Sequence, residues 1–248
     1  MSTTFAHPPH PSELFLKKPT ANLQPSTSQE RNPHDVPIFD SKSLTEPVAP
    51  VLYLPPLLSS LPEKIDFQPE ETQVDAEFPP LVTETRLPNI DPASLSLHKA
   101  LHRFRPITPE YASTPYAGAF NWGELRLPEE EEREWYCVVF RSRRKAGSDG
   151  GSLYEADKLA HEEAIRNGGL IMYWYGIPHP QTGMNLATCI WQSRKHATAA
   201  NSRPHHIRAM RLAAESYEVY DLERYRLSKR KGEAQVTIEP YTSGDVGW

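Results

Sequence analysis

Residues 134–142 read EWYCVVFRS, a β-prone stretch that is apolar on both of its faces. In an extended chain, successive side chains point to opposite faces. One set is Trp135, Cys137 and Val139, and the other is Tyr136, Val138 and Phe140. An antiparallel strand with one face in water would alternate apolar and polar residues instead. The stretch therefore predicts a strand that is covered on both sides.

Two further stretches share this pattern, Leu170–Ile177 and Met184–Gln192. A short segment rich in Pro and Gly, Pro178–Gly183, separates them and is typical of a turn. Because a short turn joins neighbouring strands, we expect these two to pair in antiparallel orientation.

Helices are predicted on either side of this strand pair. Ser152 followed by Glu155 is a capping box at a helix start, and the Gly168–Gly169 pair ends that helix. After a short helical turn at Ser193–Ala200, a long helix is predicted from Pro204 to about Leu227.

The last predicted element is a half-exposed strand at Ala234–Glu239, where apolar and polar residues alternate. The order of elements is then strand, helix, strand, strand, helix, strand. This order predicts an α+β protein with a ferredoxin-like antiparallel sheet and two helices on one face.

The second face of this sheet needs a cover, because leaving its aromatic side chains in water would create a large exposed apolar patch. We favour a second copy of the chain, packed by isologous contacts into a homodimer. The alternative is that residues 93–127 lie across the face within one chain. Both arrangements can hold together.

The N-terminal third differs sharply in composition from the rest. Residues 1–92 contain 17 of the 25 prolines and have 6 Lys and Arg against 13 Asp and Glu. Such a segment buries too little apolar surface to offset its ordering entropy. We predict a disordered, acidic segment at 1–92, a linker with a short amphipathic helix at 93–117, and the folded domain at 118–248. Patches such as Val51–Leu54 could dock a protein partner of this tail.

The two cysteines, Cys137 and Cys189, form neither a disulfide framework nor a metal cage, and both fall in predicted strands. They are expected to be buried thiols, which suits a reducing compartment. No apolar run approaches the roughly 20 residues that a membrane helix needs, and no secretory signal is visible. A cytoplasmic location is expected, with the nucleus as the alternative.

No sequence motif identifies a reaction: phosphate-binding loops, dinucleotide fingerprints and metalloprotease motifs are all absent. His161 and His205 are the candidate acid or base residues, because histidine titrates near neutral pH. A small-molecule pocket between sheet and helices could be lined by Tyr173, Tyr175, Asn185 and Trp191. We predict no metal and no cofactor, and nucleic-acid binding is disfavoured because the third strand lacks the basic and aromatic RNA-binding signature.

Several short segments resemble an uncharacterised family of fungal proteins. They are Asn121-Trp122, Glu134-Trp135-Tyr136, the helix start Tyr154-x-x-Asp157, Tyr173-Trp174-Tyr175-Gly176, Asn185 to Trp191, and Arg203-Pro204-His205. The resemblance covers roughly residues 120–228 and implies no activity, because the family has none assigned. The topology also resembles the dimeric α+β barrel superfamily, which includes small monooxygenases, isomerases and haem-degrading enzymes; topology alone constrains function weakly.

Two functions compete on this basis. The first is a small-molecule-binding protein, or a cofactor-independent enzyme of the dimeric α+β barrel type. The second is a non-catalytic scaffold whose N-terminal tail recruits partners. Convergent polar groups in a pocket would favour the first, and histidines that all face solvent would favour the second.

Overall fold

An antiparallel sheet of six strands lies at the centre of the computed structural model, which describes residues 31–37, 49–58, 90–148 and 151–247. The strands are β1 (Val51–Tyr53), β2 (Arg133–Arg144), β3 (Leu170–Tyr175), β4 (Asn185–Trp191), β5 (Tyr217–Lys229) and β6 (Val236–Pro240). The α-helices are α1 (Pro92–Ala100), α2 (Tyr116–Ala119), α3 (Gly151–Asn167), α4 (Arg194–Asn201) and α5 (Pro204–Ser216). Two 3₁₀ turns, Leu101–Arg103 and Trp122–Glu124, complete the described elements.

The strands lie side by side in the order β1-β3-β4-β2-β5-β6, and every neighbouring pair is antiparallel. The four inner strands, with α3 and α5 between them in the chain, form the strand-helix-strand-strand-helix-strand unit. The predicted α+β class and ferredoxin-like topology are therefore confirmed. The short strands β1 and β6 extend the sheet at its two edges.

The predicted long helix from Pro204 to about Leu227 is wrong in its second half. Helix α5 ends at Ser216, and β5 begins at the next residue. Strand β5 pairs with β2 along its length, from Arg133 opposite Lys229 to Arg144 opposite Tyr217. Residues 217–229 fit both a helical and an extended pattern, and pairing with the open edge of β2 decides between them. The predicted last strand at Ala234–Glu239 is consequently the edge strand β6 and not the fourth strand of the unit.

One sheet face, which we call the covered face, is buried by residues 90–127 of the same chain. Its side chains include Trp135, Val139, Trp174, Leu186 and Leu227, and all of them are buried together with apolar residues of α1, α2 and the connecting loops. Hydrogen bonds reinforce the apolar contact. The Trp135 Nε1–H donates to Ser94 Oγ at 2.9 Å, and the Tyr116 hydroxyl lies 2.7 Å from Thr188 Oγ1.

Arg141 holds the loop before α2 against this face. Its Nη1 donates to the Ala112 carbonyl at 2.6 Å, and its Nη2 donates to the Thr114 carbonyl at 2.8 Å. Of the two covers that the sequence left open, the chain's own residues therefore supply one. The homodimer is not required to cover this face, and it stays a prediction.

The helix that starts the cover begins where the sequence predicts. Asp91 is the N-cap of α1, its carboxylate accepts the Ser94 backbone N–H at 2.8 Å, and Pro92 occupies the first helical turn. Val51–Leu54, interpreted from sequence as a docking patch, instead contributes β1, whose Val51–Tyr53 pair with Tyr175–Tyr173 of β3. Most of the tail that was predicted to be disordered lies outside the described residues.

The opposite face, which we call the helix face, carries α3, α4 and α5. Its buried residues include Tyr136, Val138, Cys189 and Trp191, packed with alanines of α3 and α4. Among the residues that the structure describes, no helix is long and apolar enough to cross a membrane. Polar and titratable side chains lie close together where α3 and α5 pack on this face.

Candidate functional site

Asp157 and His161 lie one turn apart on α3 and face Tyr175 of β3. The Tyr175 hydroxyl donates to Asp157 Oδ2 at 2.5 Å, and the same oxygen lies 3.0 Å from His161 Nε2. His161 Nδ1 lies 2.8 Å from the Asp157 backbone carbonyl. Because a carbonyl can only accept, Nδ1 carries a proton, and in the neutral ring Nε2 is the accepting nitrogen. One phenol hydrogen thus faces two acceptors, a carboxylate and an imidazole.

Tyr173 packs against this group from the same strand. Its ring centroid is 4.1 Å from that of His161 and 4.1 Å from that of Tyr175. Burial raises the pKa of both tyrosines well above the usual range, and the nearby Asp157 carboxylate raises them further. Both phenols therefore stay protonated near neutral pH and are available as hydrogen-bond donors.

The other side of the group comes from α5 and the start of β5. Burial lowers the pKa of His206 to about 4, and His161 adds to that effect, so His206 is neutral at pH 7. The rings of Tyr217 and Tyr220 are stacked, with centroids 5.5 Å apart. Burial, and then the Asp157 charge, raise the pKa of both, that of Tyr220 to about 12. Tyr220 is nevertheless 40% exposed, so the group opens to solvent on this side.

We call this group the Asp157 cluster. It comprises Asp157, His161, Tyr173, Tyr175, His206, Tyr217 and Tyr220. A single carboxylate is thus surrounded by phenols and imidazoles from four elements. The arrangement can donate hydrogen bonds, accept them at Asp157, and present ring faces to a ligand.

The residues predicted from sequence are distributed unevenly around this cluster. His161, Tyr173 and Tyr175 are brought together in it. The structure places Asn185 and Trp191 elsewhere. The Asn185 Nδ2–H₂ donates to the Gly176 carbonyl at 3.3 Å, and the Leu186 backbone N–H donates to Asn185 Oδ1 at 2.8 Å, so the side chain supports the β3–β4 turn.

Trp191 lies at the far end of β4 from Tyr175. Its indole N–H donates to Cys189 Sγ at 3.0 Å, and its side chain is buried with Tyr136 and the α4 alanines. His205, the other predicted acid or base, occupies the first turn of α5, where its backbone N–H bonds to Glu163. Its neighbour His206 is the histidine whose pKa is affected by Asp157 and His161.

Sequence reasoning missed four members of the cluster: Asp157, His206, Tyr217 and Tyr220. The signal for Asp157 was its spacing of four residues from His161, which places both on one side of a helix. His205 and His206 are adjacent and diverge on a helix, so the sequence alone does not single out His206. Tyr217 and Tyr220 were assigned to a helix, and their position becomes clear only when β5 is recognised as a strand.

Glu163 caps the start of α5 and thereby helps to position His206 in the cluster. It is a buried carboxylate, and its Oε2 accepts the His206 backbone N–H at 3.1 Å. Burial raises the pKa of Glu163 from 4.5 to about 7, although these backbone hydrogen bonds and Arg203 oppose the change. The carboxyl group therefore titrates in the neutral range while it holds α5 against α3.

This raised pKa has a measurable effect on stability. Since the folded pKa lies above the unfolded value, folding binds a proton between pH 4.5 and about 7. The contribution of Glu163 is fully present below pH 4.5 and is lost as pH rises through about 7. We expect the free energy of unfolding of the wild type, minus that of Glu163→Gln, to fall by about 3 kcal/mol between pH 4.5 and 8.

Urea unfolding of both proteins at the two pH values measures this difference, because other titrating groups cancel between them. Glu162→Gln, which removes the same charge one residue earlier, is the matched control. A difference for Glu163→Gln that does not change with pH would show that folding does not raise the pKa of this carboxyl group.

The cysteines do not extend the chemistry of the site. Cys137 and Cys189 are buried free thiols, as predicted. Burial raises the pKa of the Cys189 thiol to about 12, which leaves no thiolate nucleophile near neutral pH. Within the described ranges, no group of three or more His, Cys, Asp or Glu side chains is arranged to hold a metal ion.

Comparison with known proteins identifies relatives of the chain. The sequence model of the PB2B2.08-like family matches residues 79–240. The UPF0643 protein PB2B2.08 of Schizosaccharomyces pombe is 34% identical over 152 residues, which cover 55% of this chain and 69% of the relative. The resemblance to a fungal protein family is thereby confirmed.

Solved structures that resemble the chain are more distant. A candidate monooxygenase from Fusobacterium nucleatum matches with a TM-score of 0.34 and 13% identity, over 48% of this chain and 51% of its own. A candidate antibiotic biosynthesis monooxygenase from Nitrosomonas europaea matches with a TM-score of 0.31 and 16% identity, over 46% of this chain and 97% of its own. The match thus spans about half of the Fusobacterium protein.

Proposed function

The chain belongs to the PB2B2.08-like family, and we propose that it binds a small organic molecule at the Asp157 cluster. The observation that carries this proposal is the convergence of Tyr173, Tyr175, Tyr217 and Tyr220 on one carboxylate. Burial raises the pKa of all four and the Asp157 charge raises it further, although the tyrosines come from two strands that are not neighbours in the sheet.

Such a cluster is unusual for a core that only stabilises the fold. A structural core is stabilised by apolar side chains that fill space, whereas buried polar groups add a desolvation cost that hydrogen bonds only partly offset. Here the polar groups lie at the edge of the helix face, where Tyr220 and its neighbour Leu222 are 40% and 39% exposed. Ring faces beside a few convergent polar groups are the usual composition of a ligand site.

Acid–base catalysis without a cofactor is the second candidate, and the shared Tyr175 hydrogen favours it. The phenol lies between Asp157 Oδ2 and His161 Nε2, so a proton could pass between ligand, phenol and carboxylate. A bound carbonyl compound would then exchange its α-hydrogen for deuterium in D₂O. Loss of that exchange in Asp157→Asn would support catalysis, and wild-type exchange at the uncatalysed rate would exclude it for that compound.

Binding is tested by screening ring compounds that carry one hydroxyl, amine or carboxylate group for an increase in melting temperature. A ligand at 100 times its Kd should stabilise the protein by about 2.7 kcal/mol. Since a hydrogen bond to a charged group contributes about 1.5–3 kcal/mol, removal of the phenol in Tyr175→Phe should weaken binding at least tenfold.

The matched control is Tyr225→Phe. Tyr225 also donates its hydroxyl to a carboxylate, Glu223 Oε2 at 2.7 Å, but it lies on the covered face. A ligand of the cluster should be weakened by Tyr175→Phe and unaffected by Tyr225→Phe. If every stabilising compound responded equally to both variants, or to neither, the cluster would not be the binding site.

A further inference from the structure

Asp157 is a carboxylate with no Lys or Arg beside it among the described residues. Among the described residues its ion-pair partner is His161, whose Nδ1 lies 3.8 Å from Oδ2 and is charged only when the ring is protonated. Arg144 is the arginine whose charge reaches Tyr217. Its guanidinium is engaged elsewhere, with Nη1 3.1 Å from the Tyr154 hydroxyl and Nη2 2.8 Å from the Ser148 carbonyl.

The field of this carboxylate extends over the whole cluster. It raises the pKa of Tyr173, Tyr175, Tyr217 and Tyr220, and it also opposes the lowering of the His206 pKa. All of these neighbours are neutral near pH 7, so none of them compensates the negative charge. A ligand that entered the cluster would therefore meet the Asp157 carboxylate among the protonated phenols of Tyr173, Tyr175, Tyr217 and Tyr220.

The rings strengthen the same preference. The face of a phenol ring carries the negative end of its quadrupole and attracts a cation within about 6 Å of the centroid. Two tyrosine pairs supply rings to the cluster, Tyr173–Tyr175 with centroids 4.1 Å apart and Tyr217–Tyr220 with centroids 5.5 Å apart, and Tyr220 is 40% exposed to solvent. Aromatic rings around a carboxylate are the arrangement that favours an ammonium group over an alcohol or an anion.

We propose that the ligand of the Asp157 cluster is an organic cation, a protonated amine joined to a small apolar or aromatic body. The ammonium group donates to Asp157 and lies against the tyrosine rings, and the apolar body extends toward Leu222 and solvent. This inference rests on the proposed function and narrows it to one ligand class.

Three probes that share one ring separate the contributions of charge and shape. They are benzylammonium, benzyl alcohol and benzoate, each titrated into the full chain at pH 7 and followed by NMR line shifts of the probe. We expect benzylammonium to bind at least tenfold more tightly than benzyl alcohol, and benzoate to bind most weakly. In Asp157→Asn, which keeps the shape of the side chain and removes its charge, the preference for benzylammonium should disappear.

Glu162→Gln is the control for charge, because it removes a carboxylate from the same helix outside the cluster. The preference for benzylammonium should persist in this variant. The ranking of the probes on the wild type tests the inference by itself, so the result does not depend on whether Asp157→Asn folds.

Three other outcomes would overturn the inference that the ligand is a cation. Equal binding of benzylammonium and benzyl alcohol, with both weakened by Tyr175→Phe, would overturn the cation and leave the binding site in place. A preference for benzylammonium that survives Asp157→Asn in a folded protein would also overturn the inference. Absence of binding by all three probes would overturn the cation inference, whereas the proposed function would fail only if the wider screen found no ligand that depends on the cluster.

Discussion

Replacement of Gly169 by alanine is expected to destabilise the protein by about 4 kcal/mol. Gly169 has a φ of +79°, which costs an L-residue about 1–2 kcal/mol. An added Cβ would also lie 2.1 Å from Cγ and 2.2 Å from Cδ2 of His196. Overpacking of a tight site typically costs a further 1–3 kcal/mol, and here the contact is far inside van der Waals distance.

His196 cannot easily move away from the new methyl group. Its side chain is 1% exposed, its Nδ1 lies 2.8 Å from Ser193 Oγ, and its carbonyl accepts from Asn167 Nδ2. Gly169 is itself fixed on both sides. Its N–H donates to the Leu58 carbonyl, and its own carbonyl accepts the Gln192 N–H, both at 2.7 Å. The strain therefore spreads to the junction of α3, β3 and β4.

Gly232→Ala is the matched control for this substitution. Gly232 has a similar φ of +84°, but an added Cβ would meet no atom within 4 Å. Its replacement should cost about 1–2 kcal/mol, which is the backbone effect alone. Urea unfolding of the two variants then isolates the contact with His196. Equal losses of stability would show that the ring of His196 can be displaced at no cost.

A second comparison confirms which contact is responsible. If the His196 ring causes the strain, Gly169→Ala should cost less in a His196→Ala background than in the wild type. Residues in direct contact show coupling of about 0.5–3 kcal/mol in such cycles. A coupling near zero would assign the loss to the backbone of Gly169 or to the His196 Cβ, which would lie 2.5 Å from the new methyl group and is kept in His196→Ala.

The central strands could be predicted from the sequence because their signal is local. Residues 134–142, 170–177 and 184–192 are apolar on both faces and contain β-branched and aromatic residues, which favours strands, and Gly168–Gly169 separates the first helix from β3. The double-sided apolar pattern also indicated, correctly, that both sheet faces are covered.

Strand β5 could not be predicted because its signal is not local. The sequence from Ala213 through Tyr217 and Tyr220 continues the apolar spacing of α5, and no glycine or proline marks the boundary at Ser216. What makes residues 217–229 extended is the open edge of β2, which is more than 70 residues away in the chain. For the same reason, only part of the candidate site could be predicted from the sequence. His161, Tyr173 and Tyr175 lie on elements that were assigned correctly, whereas Tyr217 and Tyr220 lie on the one that was not.

Replacement of Trp174 by alanine is expected to cost about 4 kcal/mol, and its effect should be greatest in the cover formed by residues 90–127. Trp174 is 2% exposed on the covered face. The ring edges and faces of Tyr111, Phe120 and Phe104 pack against it, with centroids 5.2, 4.9 and 6.5 Å from its own. Removal of a buried Trp side chain costs about 3–5 kcal/mol, because the lost contacts are only partly replaced when the site collapses.

Ile107→Ala is the control for this substitution. Ile107 belongs to the same cover but is 55% exposed, so its truncation should change stability by no more than about 0.5 kcal/mol. Urea unfolding gives the two free energies, and hydrogen exchange shows where the protection is lost. Equal acceleration of exchange in β2, β5 and α1 would contradict this expectation and show that the cover and the sheet unfold as one unit.

Selective loss of protection in α1 and the loop before α2 would instead show that the cover opens while the sheet stays folded. The covered face would then be exposed in a minor state, and a second copy of the chain could occupy it without competing against a permanent cover. The same substitution would raise the population of that state. Sedimentation of Trp174→Ala at tens of micromolar therefore decides whether the homodimer predicted from the double-sided strands is compatible with a chain that covers its own sheet.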